Sequence, residues 1–288
     1  MRVHPDVRAL PPVAQAPRLS TAASELRREI EVLDEHGERR PIDVPAERPL
    51  TISIDGRELV TLMTLGACPE LLVLGYLHNQ RLIEGAAQIA SIAVDWDSGA
   101  ATVKMRSGTQ QIETRTARRI VTTGCGQGTV FRGLMTQIDA IHLPAAAAAR
   151  ISQGTLYRLL DTMREQESLH RGAGSVHGCA LYRGAEMLVF VEDVGRHNAI
   201  DIISGWMILH GVAGADKILY TTGRLTGEMV MKSAQVGVPI IVSRNGVTAM
   251  GYDVARKLGM TLFGRAVQRR FLCCAGAERF DAEPEPHA

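Results

Sequence analysis

Apolar and polar positions change their spacing about midway along the chain. Between residues 30 and 118 they mostly alternate, as in strands buried on one face. Two hairpins are expected there, from Leu50–Ile54 with Glu58–Leu65 and from Ala93–Asp97 with Ala100–Met105. Between them, apolar residues at helical spacing follow Pro69, which suits a first helical turn. This half therefore predicts a small α+β domain.

The second half alternates apolar strand-like runs with helical ones. The predicted elements are, in order, a helix over 145–166, hairpin strands Cys179–Tyr182 and Met187–Val191, helix Ala199–Leu209, strand Lys217–Thr221, helix Gly227–Gln235, strand Val238–Val242, helix Val247–Leu258 and strand Thr261–Gly264. Such alternation is typical of a layered α/β domain with a largely buried sheet.

The pattern divides the chain into five segments. We predict a flexible tail over 1–22, the α+β domain over 23–118, a connecting segment over 119–144, the α/β domain over 145–276 and a second flexible tail over 277–288. Both tails lack apolar periodicity, and each contains prolines.

Composition narrows the classes of function. The 288 residues are 45% hydrophobic and 22% charged, with a net charge of +1, so no overall basic field argues for nucleic acid. No apolar run reaches the roughly 20 residues of a membrane helix, and no signal-peptide pattern opens the chain. Five cysteines are an odd number, which favours free thiols in a reducing cytoplasm.

Cys125 is the first candidate for chemistry. It follows the strand-like run 119–123 and lies among Gly124, Gly126 and Gly128, which allow an exposed, bendable loop. A sulfur nucleophile or carrier needs that access, because thiolate exchange proceeds by direct attack on sulfur. The alternative is a small residue in an incidental glycine-rich loop. The other cysteines are expected to pack: Cys68, Cys179, Cys273 and Cys274.

Polar residues crowd after the strand that ends near Val191. Asp193, Arg196 and His197 precede a predicted helix, a common place for ligands in α/β sheets. Gly223 and Arg224 repeat the arrangement one unit later. We expect the cations to bind phosphate and Asp193 to accept from a base or ribose. The alternative is a capped, ion-paired helix start in each place.

Two further segments are weaker candidates. His177 follows a glycine-rich loop and is more often structural in such a position. Arg265, Arg269 and Arg270 lie at a strand exit, as a solvated face or an anion clamp. No metal site is expected, because the sequence has no Cys-x-x-Cys and none of the usual deaminase zinc pattern.

These motifs together resemble the formate dehydrogenase accessory sulfurtransferases of the FdhD/NarQ family, over about residues 30–275. The most specific segment is 191–201, and 221–264 is similar to the family throughout. Residues 62–83 resemble the family's N-terminal helix motif, and 172–181 its Gly-Gly-x-His segment.

The resemblance implies a fold and an activity. It implies a C-terminal domain similar to cytidine deaminase without the zinc, in a cytoplasmic homodimer. Family members accept persulfide sulfur from a cysteine desulfurase and pass it to the molybdenum cofactor, in its bis-molybdopterin guanine dinucleotide form, for apo formate dehydrogenase. The carrier cysteine corresponds to Cys125, and the cofactor-binding stretch to Arg265, Ala266, Val267, Gln268, Arg269 and Arg270.

The sequence departs from the family pattern in two places. The usual Cys-x-x-Cys reads Cys125-Gly126-Gln127-Gly128, so a single thiol can hold a persulfide but no relay between two loop thiols is possible. The usual Gly-Phe-x-Arg begins at Gly264 and lacks its Phe and its Arg.

Three functions remain open from the sequence. The first is a sulfur carrier for formate dehydrogenase or another molybdenum oxidoreductase. The second, suggested by the missing second cysteine, is a chaperone that binds the cofactor without sulfur chemistry. The third is a nucleotide deaminase relative with a different metal, and the missing ligands disfavour it.

Overall fold

The computed structural model describes residues 1–3, 10–106, 138–166, 169 and 174–283, and Cys125 lies outside these ranges. The fold is mixed α/β, as the sequence predicts. Its helices are α1 (Pro69–Asn79), α2 (Gln153–Glu165), α3 (Arg196–His210), α4 (Gly227–Gln235) and α5 (Ala249–Leu258). None of the helices in the described part is long and apolar enough to cross a membrane.

The N-terminal half forms a five-stranded sheet and a separate two-stranded ribbon. The sheet has the order β2 (Arg18–Leu19), β7 (Ile89–Asp95), β8 (Ala100–Met105), β5 (Arg48–Ile54) and β6 (Arg57–Thr64). The ribbon pairs β3 (Arg27–Leu33) with β4 (Arg39–Pro45). The two predicted hairpins are confirmed, because β5 pairs with β6 and β7 with β8, both antiparallel.

The C-terminal half forms a seven-stranded sheet. Its order is β1 (Arg2–Val3), β11 (Glu186–Asp193), β10 (His177–Arg183), β12 (Lys217–Thr221), β13 (Ile240–Ser243), β14 (Thr261–Val267) and β15 (Arg270–Ala275). Strands β12, β13 and β14 are parallel, and β10 runs antiparallel to β12. The alternation of strands and helices predicted for this half is confirmed.

This sheet is covered on both faces. Alternate residues of β12 belong to two different hydrophobic cores, one on each face of the sheet. Leu219 lies in the larger core, and Ile218 and Tyr220 lie in the smaller one. The smaller core is closed by Leu156 and Leu160 of α2. The larger core continues through α3 into α1 and the N-terminal sheet, so the two halves share one hydrophobic core.

Helix α1 crosses α3 at very short range. A Cβ added at Gly75 would lie 1.8 Å from the Asp201 carbonyl oxygen, and one at Gly205 would lie 2.0 Å from that of Leu71. The crossing therefore requires glycine on both helices, and it joins the two halves of the chain.

Gly75→Ala is expected to destabilise the fold by about 3 kcal/mol, because the added methyl forces the two backbones apart. Gly85→Ala is the matched control, since a Cβ there meets no atom within 4 Å and should change stability by less than about 0.5 kcal/mol. Urea unfolding followed by circular dichroism compares the two variants. Equal midpoints would contradict the assigned role of the crossing.

Both predicted tails are partly wrong. Within 1–22, Arg18 and Leu19 pair with β7, and the Val13 amide donates to the Leu209 carbonyl. At the other end, β16 (Phe280–Asp281) pairs with β9 (Ile151–Ser152). Strand pairs of two residues are too short to show an apolar period, so no pattern in the sequence predicts them.

The helix predicted over 145–166 begins at Gln153 instead. The Ser152 hydroxyl accepts from the Thr155 amide and so caps the first turn of α2. The residues before it are held by Arg279, whose guanidinium donates to the carbonyls of Ala145 and Ala149. An alanine-rich run predicts a helix, but this buried arginine binds carbonyls that a continuous helix would use itself.

Candidate functional site at the sheet edge

Polar residues from several strands meet at one edge of the seven-stranded sheet. The parallel strands β12, β13 and β14 end there, and antiparallel β10 begins there. His177 at the start of β10 is the register partner of Asp193 at the end of β11. The structure thus brings the sequence-predicted segments around residues 177, 193, 223 and 265 to one edge.

A cavity of about 280 Å³ opens at this edge, on the side of the sheet covered by α2. Its lining comes from α2, the strand ends and the β14–β15 turn: Leu160, Met163, Arg164, Gln166, Gly178, Phe190, Glu192, Tyr220, Thr222, Arg244, Ala266, Val267 and Gln268. Typical ligand pockets hold about 300–1,000 Å³. The cavity therefore suits one end of a large ligand rather than the whole of it.

The cavity combines apolar walls with cations. Phe190 and Tyr220 provide aromatic surface, while Arg164 and the exposed Arg244 provide guanidinium groups. Burial raises the pKa of Tyr220 to about 12, and the nearby Arg244 acts in the opposite direction. A planar ring with an attached anion matches these walls.

Only part of the predicted cofactor-binding stretch 265–270 lines the cavity. Ala266, Val267 and Gln268 line the cavity, and the guanidinium of Arg269 lies 4.7 Å from the centre of the Tyr157 ring on α2. Arg265 and Arg270, like Arg269, are exposed and do not line the cavity.

The backbone around the cavity is unusual at two positions. Arg265 and Gln268 have φ values of 51° and 54°, in the left-handed region that non-glycine residues rarely occupy. Each costs about 1–3 kcal/mol and tends to cluster at functional sites. The register of β14 against β15 shifts between Gly264 and Val267, which turns residues 266–268 toward the cavity.

His177 and Gly223 link this cavity to the opposite face of the sheet. The His177 Nδ1 lies 3.3 Å from the hydroxyl of Thr222, which lines the cavity. Gly223 approaches Arg196 so closely that an added Cβ would lie 2.9 Å from the Arg196 Cβ. Arg224, the next residue, is exposed.

Asp193 has a structural role, and its carboxylate is not open to a ligand, contrary to the prediction. It is fully buried, and its Oδ2 accepts from the Thr64 hydroxyl and the Leu65 amide. Its Oδ1 accepts from the Gly195 amide and Asn198 Nδ2. Burial raises its pKa, and these hydrogen bonds act in the opposite direction. The carboxylate therefore fastens the end of β11 to the end of β6.

Arg196 and His197 lie on the opposite face from the cavity, at the start of α3. His197 Nε2 is 3.6 Å from Glu228 Oε2 on α4. Burial strongly lowers the pKa of His197, and the charges of Lys232, Arg196 and His177 add to the effect, so the ring is neutral at neutral pH. Burial raises the pKa of Glu228, whereas Lys232 lowers it.

A buried ion pair lies behind this group. Lys232 Nζ contacts Asp201 Oδ2 at 2.8 Å, and both side chains are almost completely buried. Asp201 Oδ1 accepts from Asn79 Nδ2 of α1. Lys232 therefore forms a buried contact between α4 and α3.

The four described cysteines differ in burial, and the most buried of them packs in the core. Cys179 is fully buried, its thiol donates to the Thr221 hydroxyl, and burial raises its pKa to about 12. Cys68, Cys273 and Cys274 are half-buried free thiols, and burial raises the pKa of the first two. Cys125, the predicted carrier, belongs to the part of the chain that is not described.

Sequence reasoning missed several residues of this edge. Thr222 and Arg244 line the cavity, although neither was a candidate. Arg244 directly follows β13, and Arg224 follows β12 by three residues. An arginine shortly after each strand was the sequence signal that could have identified Arg244. Within the described ranges, no group of three or more His, Cys, Asp and Glu side chains is placed to hold a metal.

Comparisons with known proteins identify relatives of this chain. The chain is 29% identical over 222 residues to the sulfur carrier protein FdhD of Geobacillus kaustophilus, covering 77% of this chain and 84% of the relative. It is 31% identical over 248 residues to the sulfur carrier protein FdhD of Halalkalibacterium halodurans, covering 83% and 88%.

A solved structure agrees. It is described as a formate dehydrogenase accessory protein from Desulfotalea psychrophila and superposes with a TM-score of 0.70 at 25% identity, covering 88% of this chain and 98% of that one. The sequence model of the FdhD/NarQ family matches residues 45–281. This chain therefore belongs to the FdhD/NarQ family.

Proposed function

We propose that this protein is a sulfur carrier that serves formate dehydrogenase, with the carried sulfur held as a persulfide on Cys125. The relatives named sulfur carrier proteins cover more than three quarters of this chain, which supports the general role. The thiolate of Cys125 would attack the outer sulfur of a cysteine desulfurase persulfide, and the desulfurase thiolate would leave. The sulfur is then delivered to the cofactor cargo.

The cargo is proposed to be the molybdenum cofactor in its bis-molybdopterin guanine dinucleotide form. The observation that carries this proposal is the cavity at the sheet edge, with aromatic walls and the cations Arg164 and Arg244. A guanine nucleotide presents a flat ring and phosphate groups, which these walls match. Ala266, Val267 and Gln268 would contact the same end.

The rest of a long cargo would extend along the edge. Thr222 lines the cavity, and its hydroxyl lies 3.3 Å from His177 Nδ1. Arg196, Gly223 and the exposed Arg224 continue this line of polar groups. We propose apo formate dehydrogenase, or another molybdenum oxidoreductase, as the recipient, and a cytoplasmic homodimer as the working form.

Arg244→Gln is expected to weaken binding of guanosine diphosphate about tenfold, because a charge-assisted contact to phosphate is lost. Isothermal titration calorimetry measures the dissociation constant. Arg57→Gln is the control, since Arg57 is an exposed arginine at the start of β6 in the N-terminal sheet. Equal affinity of the Arg244 variant and the wild type would remove the cavity from the proposal.

The second candidate function is a chaperone for the cofactor without sulfur transfer. It is favoured by the absence of a second cysteine in the loop, where Gly128 stands. The two functions share the nucleotide site and differ only at Cys125. A Cys125→Ala variant that still activates its client would establish the chaperone and exclude the carrier.

A further inference from the structure

Four buried polar atoms without partners gather at the start of α3 and α4. They are Arg196 Nε, His197 Nδ1, Thr226 Oγ1 and Glu228 Oε1. Among the described residues, only five other buried side-chain atoms lack a hydrogen bond, so this small region holds almost half of them. Buried polar groups are nearly always hydrogen-bonded, and a group of exceptions requires an explanation.

The four residues lie at the starts of two helices, Arg196 and His197 on α3 and Thr226 and Glu228 on α4. His197 and Glu228 face each other at 3.6 Å, and the charge of Arg196 is close enough to lower the pKa of Glu228. Thr226 is the N-cap of α4, yet its hydroxyl caps no amide. The side chains of His197 and Glu228 keep 18% and 14% exposure, so the cluster lies just beneath the protein surface.

The cluster is a built site with a defined chemistry. Glu228 Oε2 lies 3.6 Å from His197 Nε2, too far for a hydrogen bond, and Lys232 one turn later is already engaged by Asp201. The remaining Glu228 oxygen can accept hydrogen bonds, whereas Arg196 Nε can only donate one. A carboxylate beside a guanidinium donor matches a ring edge that carries adjacent N–H groups next to a carbonyl oxygen.

We propose that Glu228, together with Arg196, binds the 2-amino-4-oxopyrimidine edge that pterin and guanine rings share. The carboxylate accepts from the ring N–H and the exocyclic amino group, and Arg196 donates to the ring carbonyl. This inference rests on the proposed function and deepens it. The cavity holds one end of the cargo, and the cluster on the opposite face reads a second ring.

The 2-amino group is the feature to remove in the test. Pterin and lumazine differ by that group, as do GMP and IMP, so each pair isolates it. Pteridine fluorescence and calorimetry measure the four dissociation constants with the full-length wild type. We expect the amino-bearing member of at least one pair to bind about tenfold or more tightly, because losing it leaves the buried carboxylate unpaired.

The variant Glu228→Gln is expected to bring that ratio close to one, since it removes the negative charge and replaces one of the two acceptor oxygens by a donor NH2 group. Glu58→Gln, an exposed glutamate on β6, should leave the ratio unchanged. Discrimination within the pteridine pair alone assigns the site to the pterin part, and discrimination within the nucleotide pair alone assigns it to guanine. No discrimination in the wild type, or undiminished discrimination in Glu228→Gln, would overturn the proposal.

A second variant covers the case in which Glu228→Gln does not fold. Arg196→Gln should weaken all four probes and keep their ratio, and unchanged affinities would likewise overturn the proposal. Sulfur loading of Cys125 is measured separately on the same proteins. A chain that takes no sulfur but discriminates the 2-amino group would refute the carrier function and keep this site.

Discussion

Replacing Cys125 by alanine is expected to abolish activation of formate dehydrogenase. Residues 119–144 contain no cysteine besides Cys125, so no cysteine nearby along the chain can take over. A persulfide needs a thiolate, and alanine offers no sulfur to attack or to be attacked. The measurement is client activity in cells that lack the native factor and express each variant at equal level.

The matched control for this experiment is Cys273→Ala. Cys273 is a half-buried free thiol on β15, and its thiol donates to the Ala275 carbonyl. Client activity should be retained in that variant, and guanosine diphosphate affinity should be retained in both. Full client activity with Cys125→Ala would refute sulfur carriage. Loss of client activity with Cys273→Ala as well, or loss of guanosine diphosphate affinity in either variant, would point to damage of the fold.

Lys232→Met should produce the largest loss of stability. Removing Lys232 leaves the Asp201 carboxylate buried without its cation, and the breaking of such a pair costs about 3–5 kcal/mol. The damage should spread to α1, because Asp201 also accepts from Asn79. Chemical unfolding in urea measures the change as a lower midpoint.

A double variant separates the lost pair from lost packing. Asp201→Asn removes the buried charge while its amide oxygen can still accept from Asn79. The combination Asp201→Asn with Lys232→Met should therefore be more stable than Lys232→Met alone. A single Lys232→Met variant within about 1 kcal/mol of the wild type would show that the pair contributes little.

Local sequence signals predicted the regular elements well. Helix α4 matches its predicted range Gly227–Gln235, and β12 matches Lys217–Thr221, because apolar periodicity and flanking glycines mark both. The two-residue strands were not predicted, and neither was the late start, at Gln153, of the helix predicted over 145–166. Those features depend on distant partners such as the guanidinium of Arg279, which no local pattern reveals.

The candidate site was predicted in part, for a similar reason. His177, Gly223 and the stretch after Gly264 were candidates from the sequence, and the structure places all three at one edge of the sheet. The sequence could not show that both oxygens of Asp193 accept hydrogen bonds within the protein, since its partner Thr64 lies 129 residues away along the chain. It also could not show which polar residues face the cavity and which face the cluster of Glu228.

The central claim is that Cys125 carries sulfur, and intact-protein mass spectrometry tests it most directly. The protein is incubated with a cysteine desulfurase and cysteine, and the wild type is compared with Cys125→Ala. The account predicts a gain of one sulfur atom in the wild type that is lost in the variant and reversed by a reductant. No added sulfur in the wild type, or sulfur that persists in Cys125→Ala, would contradict it.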